Sequence, residues 1–170
     1  MAVDLFSAWL ASYDIPMLTG ASLLIDALTQ PILLVFLFYL FFIKKDRKRA
    51  LIMGAACLIL LILIPSLKFA FSELRPCSAP WKIQCPSDYA LPSGHAAAMA
   101  IILIAYLSSP AFPIALIVYI LVSLSRIYLG VHVLKDVIGG TVIAFAVYLF
   151  IESLILQRSV LNLAKRRNRK

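Results

Sequence analysis

The stretch Ser125–Asp136 places an arginine, a histidine and an aspartate between two long apolar segments. Ionisable groups in such surroundings are costly unless they are paired or hydrated, so they mark a functional site by default. If a helix begins near His132, Asp136 lies one turn further along the same face. A histidine held by a carboxylate is an oriented base or nucleophile. The same pair could also be only a structural hydrogen bond, and the rest of the chain must decide.

A second polar group precedes another apolar segment. Pro92–His95, with the sequence Pro-Ser-Gly-His, is typical of a helix N-terminus, where free backbone amides and the helix dipole favour an anion. Ser93 could equally be an ordinary N-cap and Pro92 an ordinary first-turn residue. Lys68 and Arg75 supply two cations earlier in the chain. Together these residue types indicate an anion site.

The elements that carry these residues are predicted to be membrane helices. Of the 170 residues, 63% are hydrophobic and the mean hydropathy is +0.98, whereas soluble domains use about 45–50% apolar residues. Most of the basic residues fall in two segments, Lys44–Arg49 and Arg158–Lys170. Such clusters stay cytoplasmic and attract anionic lipid headgroups. We therefore expect contact with anionic membrane lipids and no nucleic-acid partner, although the net charge is +8.

About 20 apolar residues are needed to cross the hydrocarbon core. The sequence predicts an all-α, polytopic membrane helix bundle, with residues 1–170 as a single domain. It would have about five transmembrane helices, an interfacial helix over residues 1–20 and a basic cytoplasmic tail over residues 158–170. The predicted spans are residues 21–43, 50–71, 92–109, 111–129 and 133–156.

Two features of this arrangement remain open. Residues 73–91 are predicted to form an ordered periplasmic loop, in which Cys77 and Cys85 could close a disulfide if that face is oxidising. Asp26 and Gln30 lie in the outer half of the first span and could reach a headgroup pocket. Hydrogen bonding between helices is the simpler explanation for both residues.

The topology brings reactive side chains to the outer ends of the helices. Three cations, two imidazoles and a carboxylate suit an anionic group rich in oxygen. Phosphate is the obvious candidate, because arginine binds it through two parallel hydrogen bonds and lysine supplies a point charge. The six residues are Lys68, Arg75, His95, Arg126, His132 and Asp136.

The spacing of these residues resembles the three-part signature of the phosphatidic acid phosphatase type 2 superfamily, which includes integral-membrane lipid phosphatases. The first part is Lys68, six residues and Arg75-Pro76, and the second is Pro92–His95. The third is Ser125-Arg126, five residues, His132, three residues and Asp136. Members of this family commonly have six spans, one more than the sequence predicts here.

The resemblance implies a role for each motif residue. His132 would attack phosphorus and form a phosphohistidine, with Asp136 fixing its tautomer. His95 would protonate the leaving oxygen and later activate water. No metal or other cofactor is implied, and the chain contains only two histidines and no evident metal-binding motif. The phosphate would be held by Lys68, Arg75, Ser93, Gly94 and Arg126.

The resulting hypothesis is a bacterial inner-membrane lipid phosphatase with its N-terminus and active site periplasmic and its C-terminus cytoplasmic. Its partners would be a lipid phosphate and the surrounding lipids, with no obligatory protein partner. The resemblance implies undecaprenyl diphosphate, phosphatidylglycerophosphate, phosphatidic acid or lipid A 1-phosphate as substrate, and Trp81 and Lys82 are expected to help discriminate among them. Two alternatives stay open: a lipid phosphotransferase with the same intermediate, and a non-catalytic lipid-phosphate binding or transport protein.

Overall fold

A computed structural model describes residues 3–167, with side chains through residue 158, and this part of the chain forms six α-helices. A π-helical turn, Tyr39–Ile43, continues the second helix. The described residues contain no strand, so the predicted all-α bundle is confirmed. The helices are α1 (Leu5–Ser12), α2 (Pro16–Phe38), α3 (Arg47–Phe71), α4 (Gly94–Ala105), α5 (Phe112–Tyr128) and α6 (Leu134–Arg167).

Three helices have the length and composition to cross a membrane. They are α2 with its π-helical turn, α3, and the part of α6 that ends at Arg158. Their outer faces are apolar, and Leu24 and Leu61 are 60% and 70% exposed. α4 and α5 are shorter apolar helices, and 12 residues of α4 rise only about 18 Å. The five predicted spans are thus three long helices and two shorter ones, with α4 largely buried.

The N-terminal helix is shorter than the sequence predicted. α1 ends at Ser12, and α2 already begins at Pro16, where proline suits the first turn because its missing N–H has no helical partner. The predicted boundaries, residues 1–20 for the interfacial helix and residue 21 for the first span, were therefore wrong. Residues 1–2 and 168–170 of the predicted terminal segments lie outside the described residues.

The start of α4 packs closely against the first turns of α6. The Ser93 amide donates a hydrogen bond to the Asp136 carbonyl oxygen at 2.9 Å. Glycine at position 140 permits this approach, because a Cβ there would lie 2.3 Å from the Ser93 carbonyl oxygen. Two predicted motif segments, Pro92–His95 and the stretch around Asp136, are thereby joined through their backbones.

The loop between α3 and α4 is anchored at several points. Cys77 and Cys85 form a disulfide, with their Cα atoms 5.7 Å apart. The Lys82 ammonium donates to the carbonyl oxygens of Ala11 and Tyr128 at 3.0 and 2.9 Å, and this residue is only 7% exposed. Lys82 therefore faces the protein interior, contrary to its expected contribution to substrate discrimination. Trp81 is 60% exposed and stays on the surface.

Candidate active site

A cavity of about 400 Å³ lies where the α3–α4 loop meets the ends of the helices. Five of the eight predicted catalytic and phosphate-binding residues line it, and they come from α3, the loop, α4 and the α5–α6 connection. Ser93, Arg126 and Asp136 do not line it. The five lining residues are Lys68, Arg75, Gly94, His95 and His132.

His132, which lines the cavity, forms the predicted pair with the buried Asp136. The His132 Nδ1 lies 3.3 Å from the Asp136 Oδ2, which also accepts from the Val133 amide at 3.0 Å. The Arg75 Nη1 lies 3.1 Å from the His132 Nε2. Because a guanidinium can only donate, Nε2 acts as the acceptor and the imidazole proton resides on Nδ1, facing Asp136. This tautomer leaves a lone pair on Nε2.

Burial sets the charge of His132, which is 2% exposed. Burial lowers the pKa of His132 to about 4, because the charged form is poorly solvated, and the Asp136 hydrogen bond only partly opposes this. The positive charges of Arg75 and Arg126 lower the pKa further. His132 is therefore neutral near pH 7, which is the state that a nucleophile requires.

Lys68 and Arg75 converge on a carboxylate that sequence reasoning missed. Asp88 forms an ion pair with Lys68 through its Oδ2, and its Oδ1 accepts from the Arg75 Nη2 at 2.6 Å. Partial burial favours the neutral acid, but the hydrogen bonds from both cations outweigh it and lower the pKa of Asp88. Asp88 thus binds the two cations that were predicted to hold phosphate. A lone aspartate in a polar loop gave no signal of this contact.

Arg126 and His95 share a second carboxylate, Asp26 on α2. The Asp26 Oδ1 lies 3.0 Å from the His95 Nε2 and also forms an ion pair with the Arg126 Nη1. The predicted hydrogen bonding between helices is present, since Asp26 joins α2 to α5, but Asp26 also contacts a predicted catalytic histidine. The signal available in the sequence was an acidic residue within an apolar span.

Ser93 and Gly94 occupy different environments. The Ser93 side chain is the N-cap of α4, where its Oγ accepts from the Ala96 amide at 3.4 Å, and the residue is fully buried. The ordinary N-cap interpretation therefore accounts for the Ser93 hydroxyl. Gly94 lines the cavity and exposes the first turn of α4 to it.

An apolar groove of about 280 Å³ adjoins the cavity and runs between α2, α3 and α4. The two spaces share four lining residues, so they are direct neighbours, and the groove wall is mostly aliphatic. The shared residues are Ile64, Pro65, Gly94 and His95. Among the side chains that the structure describes, no group of three or more His, Cys, Asp or Glu is placed to hold a metal ion.

The fold is that of a helical membrane protein, and its cavity is lined by two histidines and two cationic side chains. Residues 49–159 match the PAP2 superfamily, and because this segment is more than half of the chain, the chain belongs to that superfamily. The resemblance inferred from the three motifs is confirmed. The matched segment begins after α2, so Asp26 lies outside it.

This chain is similar to a curated protein in sequence and to solved structures in fold. An undecaprenyl-diphosphatase of Sulfolobus acidocaldarius is 34% identical over 106 residues, which cover 57% of this chain and half of that relative. A PAP2-type phosphatidylglycerolphosphate phosphatase of Bacillus subtilis has a similar fold, with a TM-score of 0.71, 24% identity and coverage of 89% and 83% of the two chains. LpxE of Aquifex aeolicus gives a TM-score of 0.72, 23% identity and coverage of 87% and 93%.

Proposed function

We propose that this protein is a membrane lipid phosphatase that hydrolyses a lipid phosphomonoester or diphosphate. Membership of the PAP2 superfamily and the phosphatase names of its relatives support hydrolysis of lipid phosphates. The observation that carries the proposal is the adjacency of two spaces: a cavity lined by two cations and two histidines shares part of its wall with an apolar groove. A phosphate headgroup suits the cavity and a hydrocarbon chain suits the groove.

The proposed reaction proceeds in two steps through His132. The Nε2 lone pair attacks phosphorus, a P–N bond forms, and the bond from phosphorus to the leaving oxygen breaks as His95 gives that oxygen a proton. Water then attacks the phosphohistidine, His95 accepts a proton from the water, and the P–N bond breaks to release phosphate. Lys68 and Arg75 stabilise the charge that develops on the phosphoryl oxygens, with the Gly94 turn of α4 as a further donor.

Charge distribution supports a periplasmic active site. The basic segment Lys44–Arg49 lies at the N-terminal end of α3, whereas Lys68 lies in the last turn of α3, at its opposite end. Basic segments next to spanning helices stay cytoplasmic, so the cavity would open on the outer side. The disulfide between Cys77 and Cys85 beside the cavity also suits an oxidising compartment.

The deciding experiment measures free phosphate released by purified protein in detergent from a panel of lipid phosphates and diphosphates. We expect turnover of at least one lipid, undiminished by a metal chelator, and its near-complete loss in His132→Ala. Activity abolished by the chelator would contradict the metal-free reaction. Turnover by His132→Ala would contradict the role of His132 as nucleophile. Phosphate transferred to a second lipid, instead of released into water, would indicate a transferase.

The intermediate can be trapped directly with a ³²P-labelled substrate. We expect acid-labile, base-stable label on the wild-type protein and none on His132→Ala. His95→Ala should accumulate label when the substrate has an acidic leaving group, because the first step then needs no proton donor while the second step lacks its base. Absence of label from both the wild type and His95→Ala would contradict a covalent intermediate.

A further inference from the structure

Asp26 occupies a position between two residues of the proposed site, although it belongs to neither the three motifs nor the matched segment. Its Oδ1 is 3.0 Å from the His95 Nε2 and pairs with the Arg126 Nη1. The three residues come from three helices, α2, α4 and α5, and the side chain of Asp26 is 27% exposed while that of Arg126 is 4% exposed. An acidic side chain placed in this way can act on the chemistry of the site through His95.

The contact assigns different tasks to the two nitrogens of His95. An ionised carboxylate only accepts hydrogen bonds, so the His95 Nε2 donates its proton to Asp26. The nitrogen that remains to exchange a proton with substrate or water is then Nδ1. In a histidine, the hydrogen bond made by one ring nitrogen fixes the state of the other.

Asp26 also compensates the charge of Arg126. That guanidinium is buried, and its Nε has no hydrogen-bond partner among the described residues. Removing the partner of a buried charge is costly, because the remaining charge is left without compensation. Asp26 therefore links the charge of Arg126 to the orientation of His95.

We propose that Asp26 is a positioning residue of the active site, which holds His95 in the tautomer with Nδ1 free for proton transfer and supports the imidazolium form that donates the proton. This inference rests on the proposed function, with His95 as the general acid. A purely structural ion pair between α2 and α5 is the competing role, and it predicts a different kinetic outcome.

The test varies the leaving group. Proton donation matters most when the departing oxygen is basic, as in an alkyl lipid phosphate, and least when it is acidic, as in p-nitrophenyl phosphate. We expect Asp26→Asn to lower kcat/KM by about 100-fold on the lipid and by less than about 10-fold on the aryl ester. Asp26→Glu, which retains the charge, should recover part of the loss on the lipid.

Glu152→Gln is the matched control, because it makes the same acid-to-amide change in α6, about 27 Å along that helix from its first residue, Leu134, which lies near the proposed site. It should leave both rates unchanged. Equal losses of Asp26→Asn on the two substrates, or no loss on either, would overturn the inference while leaving the phosphatase assignment intact. If Asp26→Asn fails to fold, the losses of kcat/KM on the two substrates are compared for Asp26→Glu instead. An equal loss on both substrates would again overturn the inference. A wild-type protein inactive on every phosphate would instead remove the proposed function, and this inference with it.

Discussion

At the scale of single residues, carboxylates form ion pairs with the cationic side chains of the proposed site. Asp88 pairs with Lys68 and Arg75, and Asp26 pairs with Arg126. A phosphoryl group that binds Lys68 and Arg75, as proposed, would have to displace Asp88, whose side chain is 53% exposed. In the proposed function, substrate binding would therefore exchange one anion, the Asp88 carboxylate, for another, the phosphoryl group.

This exchange predicts a gain in affinity when Asp88 is neutralised. We expect Asp88→Asn to lower the inhibition constant of inorganic phosphate roughly fivefold, since an exposed ion pair contributes about 1 kcal/mol. Asp14→Asn, an exposed acid between α1 and α2, should leave the constant unchanged. Competitive inhibition of lipid hydrolysis measures both values. A higher constant in Asp88→Asn would show that Asp88 supports the phosphate site instead of competing for it.

The buried position of His132 predicts its titration. Its pKa is lowered to about 4, so the imidazole should stay neutral until the pH falls through about 4, and the nucleophile should be lost only below that value. The chain has two histidines, so ¹⁵N-histidine NMR of the His95→Gln variant in micelles observes His132 alone. A midpoint near the ordinary value of 6.5 would contradict the burial argument.

At the scale of elements, the site depends on the close approach of α4 and α6. Gly140 lets α6 lie against the Ser93 carbonyl oxygen, and the Ser93 amide bonds to the Asp136 carbonyl oxygen. The Asp136 carboxylate in turn accepts from the Val133 amide and orients His132. Helix packing thereby fixes the distance between the two motif segments that carry the histidines.

Gly140→Ala should consequently separate α4 from α6. We expect a loss of about 1–3 kcal/mol in stability from overpacking, together with a marked loss of phosphate release. Gly54→Ala in α3 is the matched control, because a Cβ there meets nothing within 4 Å and alanine favours a helix. Thermal unfolding in detergent and phosphate release measure the two effects. Wild-type stability in Gly140→Ala would show that the helices can shift without cost.

At the scale of the whole molecule, the two ends of the bundle differ in character. One end holds the cavity, the disulfide-closed loop and α1. The side chains of Asp4, the N-cap of α1, and of Ser7 accept hydrogen bonds from the Leu134 amide at 3.3 and 3.0 Å. The other end holds the basic segment between α2 and α3. Hydrogen bonds from α1 and the loop thus brace the end where the chemistry is proposed.

This polarity predicts the orientation in the membrane. Alkaline phosphatase fused after Lys170 in a bacterial host should be inactive, and green fluorescent protein fused at the same position should be fluorescent, because the basic C-terminal segment stays cytoplasmic. Fusions within Lys44–Arg49 should behave in the same way. Active alkaline phosphatase at either position would contradict a periplasmic active site.

The sequence by itself determined the membrane class, the helical bundle and the motif residues. These follow from local properties: apolar segments of spanning length, the cost of charge within them, and fixed spacings between Lys68 and Asp136. The extent of the first helices was predicted less well, because the polar residues before position 20 suggested an interfacial segment, whereas proline at position 16 already starts α2.

Only the tertiary structure decided which groups face one another. Asp26 and Arg126 are 100 residues apart in the chain, and Lys82 reaches Ala11 across 71 residues. No spacing rule connects such positions, because their contact depends on how several helices pack and on where the loop is anchored. The tautomer of His132 likewise follows from Arg75, which the fold brings to its Nε2. The motifs predict which residues take part in the proposed chemistry, and helix packing decides which ion pairs they form and which tautomer His132 adopts.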